Sequence, residues 1–400
     1  VPIGTPFHER TFALCESLNY RDWSGYYTVS AYETHHEHEY NAIRNAAALI
    51  DISPLFKYLV SGTDASRLVD RVITRDVRSM TVGQVFYTPW CDEQGAVIDD
   101  GTVARLDDQL FHWTAADPSL RWITQNAAGL NVTVDDVSES TAALAVQGPM
   151  SAHVLRACAE ADIEGLKYFH ITQGRISGVP VGISRTGYTG DLGYEIWIPA
   201  DQALTVWDAV MAAGRPFEIK AAGMLALDVA RTEAGLLLID VDFTGSRKAI
   251  IPSQRYTPHE IGLGRLVSLE KGPYVGRRAL AKERREGPRR KIVGLEVEWS
   301  GVEALHERVG LAPVAPAAAS RTPVPVLKGA RQVGRATTTA WSPTLKKLIA
   351  LATIDAPHFD EGTHVEFEMS VEGVRHFVGA TVVRTPFFNP ARKTRTPPLT

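Results

Sequence analysis

Four groups of residues in this 400-residue chain have types and spacings that could do chemistry. The first is Thr34-His-His-Glu-His-Glu39, where His35, His36 and His38 crowd together as potential metal ligands. A zinc-protease helix needs His-Glu-x-x-His, but His36-Glu37 is followed by His38-Glu39-Tyr40. A helix would put His35 and Glu39 on one face without a third ligand, so the segment reads as a polar helix start and no metal is expected. The second group, Arg185-Thr-Gly-Tyr-Thr-Gly-Asp-Leu-Gly-Tyr-Glu195, carries three glycines at period three. It has neither the Gly-x-Gly opening of a dinucleotide site nor the Gly-Lys of a phosphate loop, and a glycine-turned hairpin accounts for it. Glu195, directly before Ile196-Trp-Ile198, could still begin a strand beside an aromatic wall and accept two adjacent N–H donors of a planar ligand.

The third group is Gly95-Ala-Val-Ile-Asp-Asp-Gly101. In a strand only one of Asp99 and Asp100 can easily face a pocket; otherwise Asp-Asp-Gly is a turn. The fourth, Asp228, Arg231 and Glu233, lies in an apolar helical segment, where i, i+3 spacing makes Asp228–Arg231 a structural ion pair. No Gly-x-Ser-x-Gly elbow supports a Ser–His–Asp site.

Mixed elements must position these groups. Helical spacing runs from His36 to Ile50, from a cap at Thr63 or Asp64 through Ile73, and from Asp201 to Ala213 with Gly214 as its C-terminal cap. Strands are expected at Lys57–Ser61, Gln84–Pro89, Val97–Leu106, Val181–Arg185 and Tyr194–Pro199. Their irregular alternation with helices predicts an α+β fold. The charged segment Ala281–Lys291 contains Gly287 and Pro288 and reads as a solvated domain boundary. Beyond it the pattern is mostly β, with alternation from Val293 to Trp299, an extended loop over Leu311–Pro325 and two strands around Val371-Glu-Gly-Val374.

Composition narrows the partners. Hydrophobic residues at 44% and charged residues at 22% describe a globular chain, and 42 basic against 46 acidic side chains leave no field to attract nucleic acid or an anionic membrane. Three scattered cysteines cannot build a disulfide framework, and no apolar run reaches the roughly 20 residues of a membrane helix. With no signal-peptide pattern at Val1–Arg10, these features predict a cytoplasmic protein.

The order of the motifs resembles the folate-binding family of the glycine-cleavage T protein, the aminomethyltransferases. The resemblance runs through Thr5-Pro-Phe, Ala42-Ile-Arg, Leu49-Ile-Asp-Ile-Ser53, Val60-Ser-Gly-Thr-Asp-Ala65 and Val82-Gly-x-x-Phe-Tyr87. It continues through Ile98-Asp-Asp100, Leu144-Ala-Val-Gln-Gly-Pro149, Ser184-Arg-Thr-Gly-Tyr-Thr-Gly190, Gly193-Tyr-Glu195 and Asp228-x-x-Arg-x-Glu-Ala-Gly235. Tyr274-Val-Gly-Arg-Arg-Ala-Leu280 and Ser342-Pro-Thr-Leu345 complete it over nearly the whole chain.

That resemblance implies three subdomains in a cloverleaf ring around a central hole for tetrahydrofolate. A folate-binding domain of two subdomains would occupy residues 1–285, and a mostly-β barrel residues 286–400. By position, Asp100 matches the aspartate near the transferred carbon and Glu195 the carboxylate that holds the pterin. Tyr87 and Tyr188 match pocket residues; Thr114 stands at a pterin-reading asparagine, and Arg231 falls among the folate contacts.

Several residues depart from the family pattern. Gly101 replaces an apolar residue, His112–Asp117 replaces a Val-Asn-Ala segment, and Leu227 replaces an arginine. Asp240 stands where a glycine is expected, Asp240–Thr257 is a longer connection, and Trp23–Tyr27 is atypical near the substrate side. Pro273 in Lys271-Gly-Pro-Tyr-Val-Gly-Arg277 replaces the cysteine of an iron–sulfur-assembly branch and argues against that branch.

The activity implied is transfer of an aminomethyl-type C1 unit to N5 of tetrahydrofolate. The donor would be a small molecule or be carried by a partner such as a lipoylated carrier protein. A tetrahydrofolate-dependent N-, O- or S-demethylase is the alternative, and a non-catalytic folate-binding accessory protein is the alternative of another class.

Overall fold

The computed structural model describes residues 1–395 and Pro397. Three large β-structures carry the chain. A five-stranded sheet is ordered Val85–Cys91, Val97–Asp107, Leu110–Ala115, Phe56–Ser61, Thr133–Asp136. A seven-stranded sheet has Gly193–Pro199, Thr141–Gln147 and Ala48–Asp51 as consecutive neighbours in its middle. Six strands from Arg290–Val297 to Val374–Val383 close into a barrel. With the interspersed helices this is an α+β fold with a C-terminal barrel, as the sequence predicts.

Alternation along the strands decides which side chains can reach a ligand. In Thr141–Gln147, Ala142, Leu144 and Val146 enter one core, while Ala143 and Ala145 enter another. Tyr194, Ile196 and Ile198 of the paired strand join the first core and Trp197 the second, which puts Glu195 on the second face with Trp197. The second core also holds Val85 and Ala104 from the five-stranded sheet, so the two sheets meet there. Phe111, Trp113 and Ala115 fill a third core behind the five-stranded sheet and leave His112 and Thr114 toward the junction. Each large apolar side chain buried this way stabilises the fold by about 1.5–3 kcal/mol, so a register slip would be costly.

The structure departs from the sequence expectation in three places. The helix expected from His36 to Ile50 stops at Asn45, and Ala48–Asp51 is instead a strand between Thr141–Gln147 and Lys220–Ala221. Ala46 leaves helical geometry at φ −136° and ψ −124°. The run Ala46–Ile50 satisfies either periodicity, and strand pairing decides between them. Gly214 is not a left-handed cap; the chain continues through a 3₁₀ turn at Arg215–Phe217, and Glu218 takes the positive φ of 55°. Glycine is required at 214 because a Cβ would lie 2.4 Å from Ile219. Most of the charged boundary segment is a helix, Arg277–Glu286, which buries only Leu280. The break falls at Gly287, with φ 82°.

The barrel follows expectation more closely, although its first strand ends at Val297, Trp299 opens the helix Trp299–Arg308, and the strand Val324–Lys328 takes the end of the expected loop. The hairpin His364–Val371 and Val374–Val383 turns at Glu372-Gly373, both at positive φ. Leu311–Ala319 has no regular structure. Among the described residues no helix is long and apolar enough to cross a membrane.

Candidate functional site

Asp99 and Asp100 sit inside the strand Val97–Asp107, not in a turn, and their side chains take opposite faces. Asp99 is fully buried, its Oδ1 accepting the Asp100 N–H at 2.8 Å and its Oδ2 the Asp117 N–H at 2.9 Å. Asp100 is half-buried and accepts the Tyr87 hydroxyl at 2.5 Å. Burial drives both carboxyls above the usual range; the charge of Asp100 adds to the rise at Asp99, and the Tyr87 hydroxyl opposes it at Asp100. One aspartate therefore ties down backbone and the other is presented.

Thr114 is buried, and its hydroxyl meets that of Thr102 at 2.6 Å and the Thr102 N–H at 3.2 Å. Gly101 makes this close approach possible, because a Cβ there would stand 2.1 Å from the Thr114 carbonyl oxygen. The departure at 101 and the departure at 114 are thus one local feature. Neither its Thr102 partner nor its engaged hydroxyl was visible from sequence spacing.

Glu195 is half-buried on the opposing sheet, with Oε2 accepting the Thr186 hydroxyl at 2.6 Å. Burial raises its carboxyl and the Thr186 bond offsets part of the rise. Among the described residues no other hydrogen bond reaches this carboxylate, so an acceptor remains for a ligand. Thr186 belongs to the glycine loop between Val179–Ser184 and Gly193–Pro199, strands that pair antiparallel as a long-looped hairpin. Gly187 and Gly193 are needed there because a Cβ on either would lie 2.2 Å from Gln147 Oε1. The Gln147 side chain accepts the Thr189 hydroxyl at 2.8 Å and donates to the Tyr194 carbonyl at 3.2 Å, which fixes the loop. Tyr188, in the same loop, packs on the sheet–sheet core and donates its hydroxyl to the Leu237 carbonyl.

Arg231 lies elsewhere in the arrangement. It is fully buried on the helix Met224–Glu233, with Nη1 2.5 Å from Asp242, Nη2 3.0 Å from the Thr338 hydroxyl and Nε 3.4 Å from Asp228. The Asp228–Arg231 pair expected from spacing is present. Two further arginines converge on Asp228: Arg21 at 3.2 Å and Arg321 at 2.7 Å. Their separations of 207 and 93 residues left no local signal in the sequence.

The structure therefore gathers Tyr87, Asp100 and Thr114 on one sheet and Glu195 on the sheet that faces it, with Tyr188 against their common core. Arg231 has no exposed surface and belongs to the frame. Among the described residues no group of three or more His, Cys, Asp and Glu could hold a metal ion. His38 instead contacts Glu33 at 2.6 Å.

Comparison with known proteins places this arrangement. Residues 8–271 match the family model of the GCVT N-terminal domain, and residues 290–389 that of the glycine cleavage T-protein C-terminal barrel domain. The chain belongs to the glycine cleavage T-protein family. It is 36% identical over 98% of its length to the trimethylamine-oxide aldolase of Ruegeria pomeroyi, of which it spans 47%. It is 35% identical to the aminomethyltransferase of Moorella thermoacetica, covering 89% of this chain and 90% of that one. The aminomethyltransferase of Caldanaerobacter subterraneus is 33% identical over 82% of each chain. The crystal structure of glycine cleavage system aminomethyltransferase T from Bartonella henselae shares the fold, with a TM-score of 0.79, 22% identity and coverage of 97% of this chain and 99% of that one.

Proposed function

We propose that this protein is a tetrahydrofolate-dependent one-carbon transferase that passes a C1 unit to N5 of tetrahydrofolate. The observation that carries the reading is the pairing of a Tyr87-oriented Asp100 on one sheet with an under-partnered Glu195 on the facing sheet. Family membership supports the same reading.

The residues fit the ligand chemically. Reduced pterin shows a ring N–H beside an amino group, and a carboxylate with an unengaged oxygen can accept that pair. Glu195 is such a group. The Tyr188 ring, fixed through its hydroxyl to Leu237, offers a flat apolar face. Bound tetrahydrofolate would supply the nucleophilic nitrogen that accepts the carbon. Asp100 contributes a fixed negative charge where the transferred carbon gains positive character, and the Tyr87 hydrogen bond holds that charge in place. Arg231 acts from behind by tying the helix Met224–Glu233 to the loop at Asp242 and to the barrel.

An aminomethyl donor on a lipoylated carrier protein, in the cytoplasm, is the first form of this proposal. The similarity to the trimethylamine-oxide aldolase supports a second, in which a methylated small molecule is the donor. The atypical Trp23–Tyr27 segment and the Arg21–Asp228–Arg321 contact are then candidates for donor recognition. The boundary near residues 285 and 286, between the two matched family domains, would separate the folate-binding part from the barrel.

Incubation of the protein with tetrahydrofolate and separate donors, read by mass spectrometry, tests the reading. Methylene-tetrahydrofolate formed from an aminomethylated lipoyl carrier is the expected product of the first form. Methyl-tetrahydrofolate from a methylated small molecule would establish the second. Folate binding without turnover across the panel would make the protein an accessory folate binder, and absence of both would overturn the proposal.

A further inference from the structure

His112 lies in the strand Leu110–Ala115, two residues before Thr114 and on the same face. The residue is only 8% exposed, and its ring meets Trp197 edge to face, with centroids 4.8 Å apart and planes at 64°. Trp197 stands two residues beyond Glu195 in the facing strand. The contact therefore joins the row of side chains that carries Thr114 to the row that carries Glu195.

The His112 ring makes no hydrogen bond among the described residues, and its Nε2 is enclosed without a partner. Buried polar groups are seldom left in this state unless something else satisfies them. Burial, with the nearby Lys57 charge, pushes the imidazole down to about 4, so at neutral pH it offers one N–H donor and one acceptor. Thr114 differs, since its hydroxyl is already engaged by Thr102.

We propose that His112 takes part in pterin recognition, its ring hydrogen-bonding the polar edge of the pterin beside the N–H pair held by Glu195. The assignment rests on the folate reading above. No hydrogen bond fixes the ring, so a turn about χ2 that brings a nitrogen to the ligand breaks none.

Calorimetry with tetrahydrofolate on the wild type, His112→Leu and His112→Gln tests this, together with ¹⁵N-histidine spectra of the wild type with and without tetrahydrofolate. His112→Leu should bind about 10-fold more weakly, the scale of one lost hydrogen bond, whereas His112→Gln, which keeps a donor and an acceptor, should stay within about 3-fold. The His112 ring-nitrogen resonances, identified by their loss in His112→Gln, should move when tetrahydrofolate is added. Equal affinity of wild type and His112→Leu, or unmoved resonances in a folate-bound wild type, would overturn the role of His112 and leave the folate reading standing. A wild type that binds no tetrahydrofolate would overturn both. The spectra need no folded leucine variant.

Discussion

Glu233 and Glu195 are the same residue type beside glycine-marked segments, yet their surroundings are opposite. Glu233 is fully buried and surrounded: Arg44 donates from Nε at 2.8 Å and Nη2 at 2.6 Å, and the hydroxyls of Tyr40 and Ser342 each approach to 2.5 Å. Asp242 is similar, held by Arg231, Thr337, Thr338 and the Leu238 N–H. Glu195 and Asp100 remain half-buried, each with one hydroxyl partner among the described residues. The first pair joins the helices Glu37–Asn45 and Met224–Glu233 to the barrel. The second lines the junction of two sheets and still has acceptors to give. Residue type does not separate frame from site; the remaining hydrogen-bonding capacity does.

This contrast predicts different failures. Glu233→Ala should have the largest effect, about 3–5 kcal/mol of stability, because it leaves the buried Arg44 guanidinium without its main counter-ion. Chemical denaturation checks it, and a wild-type midpoint would show that Glu233 is not part of the frame. Asp100→Asn should leave that midpoint nearly unchanged while turnover falls by about 10²–10³, or roughly 2.7–4 kcal/mol of barrier. Undiminished turnover would remove Asp100 from the mechanism.

The pH dependence sharpens the second case. Burial pushes the Asp100 carboxyl up to about 6, so the ionised form is lost as the pH falls through that value. Turnover limited by this carboxylate should decline below about pH 6 and level above it. The residual activity of Asp100→Asn should lack that limb. A wild-type rate that stays flat from pH 7 to pH 5 would contradict the assignment of the charged form.

Much of the frame was legible because strand alternation is local. Val97–Asp107 and Gly193–Pro199 could be read from their own residues, and the glycine spacing marked the Thr186–Tyr188 loop. The order of motifs brought Asp100 and Glu195 together as candidates. Periodicity failed at Ala46–Ile50, where a run of small apolar residues fits both helix and strand and partners distant in sequence choose. It also could not show that the Thr114 hydroxyl is consumed by Thr102, or that Arg321 reaches Asp228. Such facts depend on which strands and loops become neighbours, and a linear pattern carries no record of them.

A smaller effect is expected for Glu195→Ala. Loss of an acceptor for two N–H donors should weaken tetrahydrofolate binding by about 10²-fold, with stability little changed because Thr186 is its partner and also bonds Ser184 at 2.7 Å. Unaltered affinity by calorimetry would refute the pterin-anchor role. If Glu195→Ala instead lost several kcal/mol of stability, the division between frame and site would itself break down.

The smallest effect tests the frame at a departure from the family. Asp240, where the pattern expects glycine, has a φ of 64°, which glycine adopts freely and aspartate tolerates better than most residues. Its carboxylate contacts Lys248, which also reaches Asp117 at 2.7 Å. Asp240→Gly removes the left-handed strain but also this exposed ion pair, terms of about 1 kcal/mol and opposite sign, so stability should change by no more than about 0.5 kcal/mol. Asp240→Val keeps the demand for positive φ, loses the pair and adds a β-branched side chain, and should cost about 1–2 kcal/mol. Equal stabilities for the valine and glycine variants would mean that the backbone at 240 relaxes out of the left-handed region. The glycine of the family would then answer to something other than this turn.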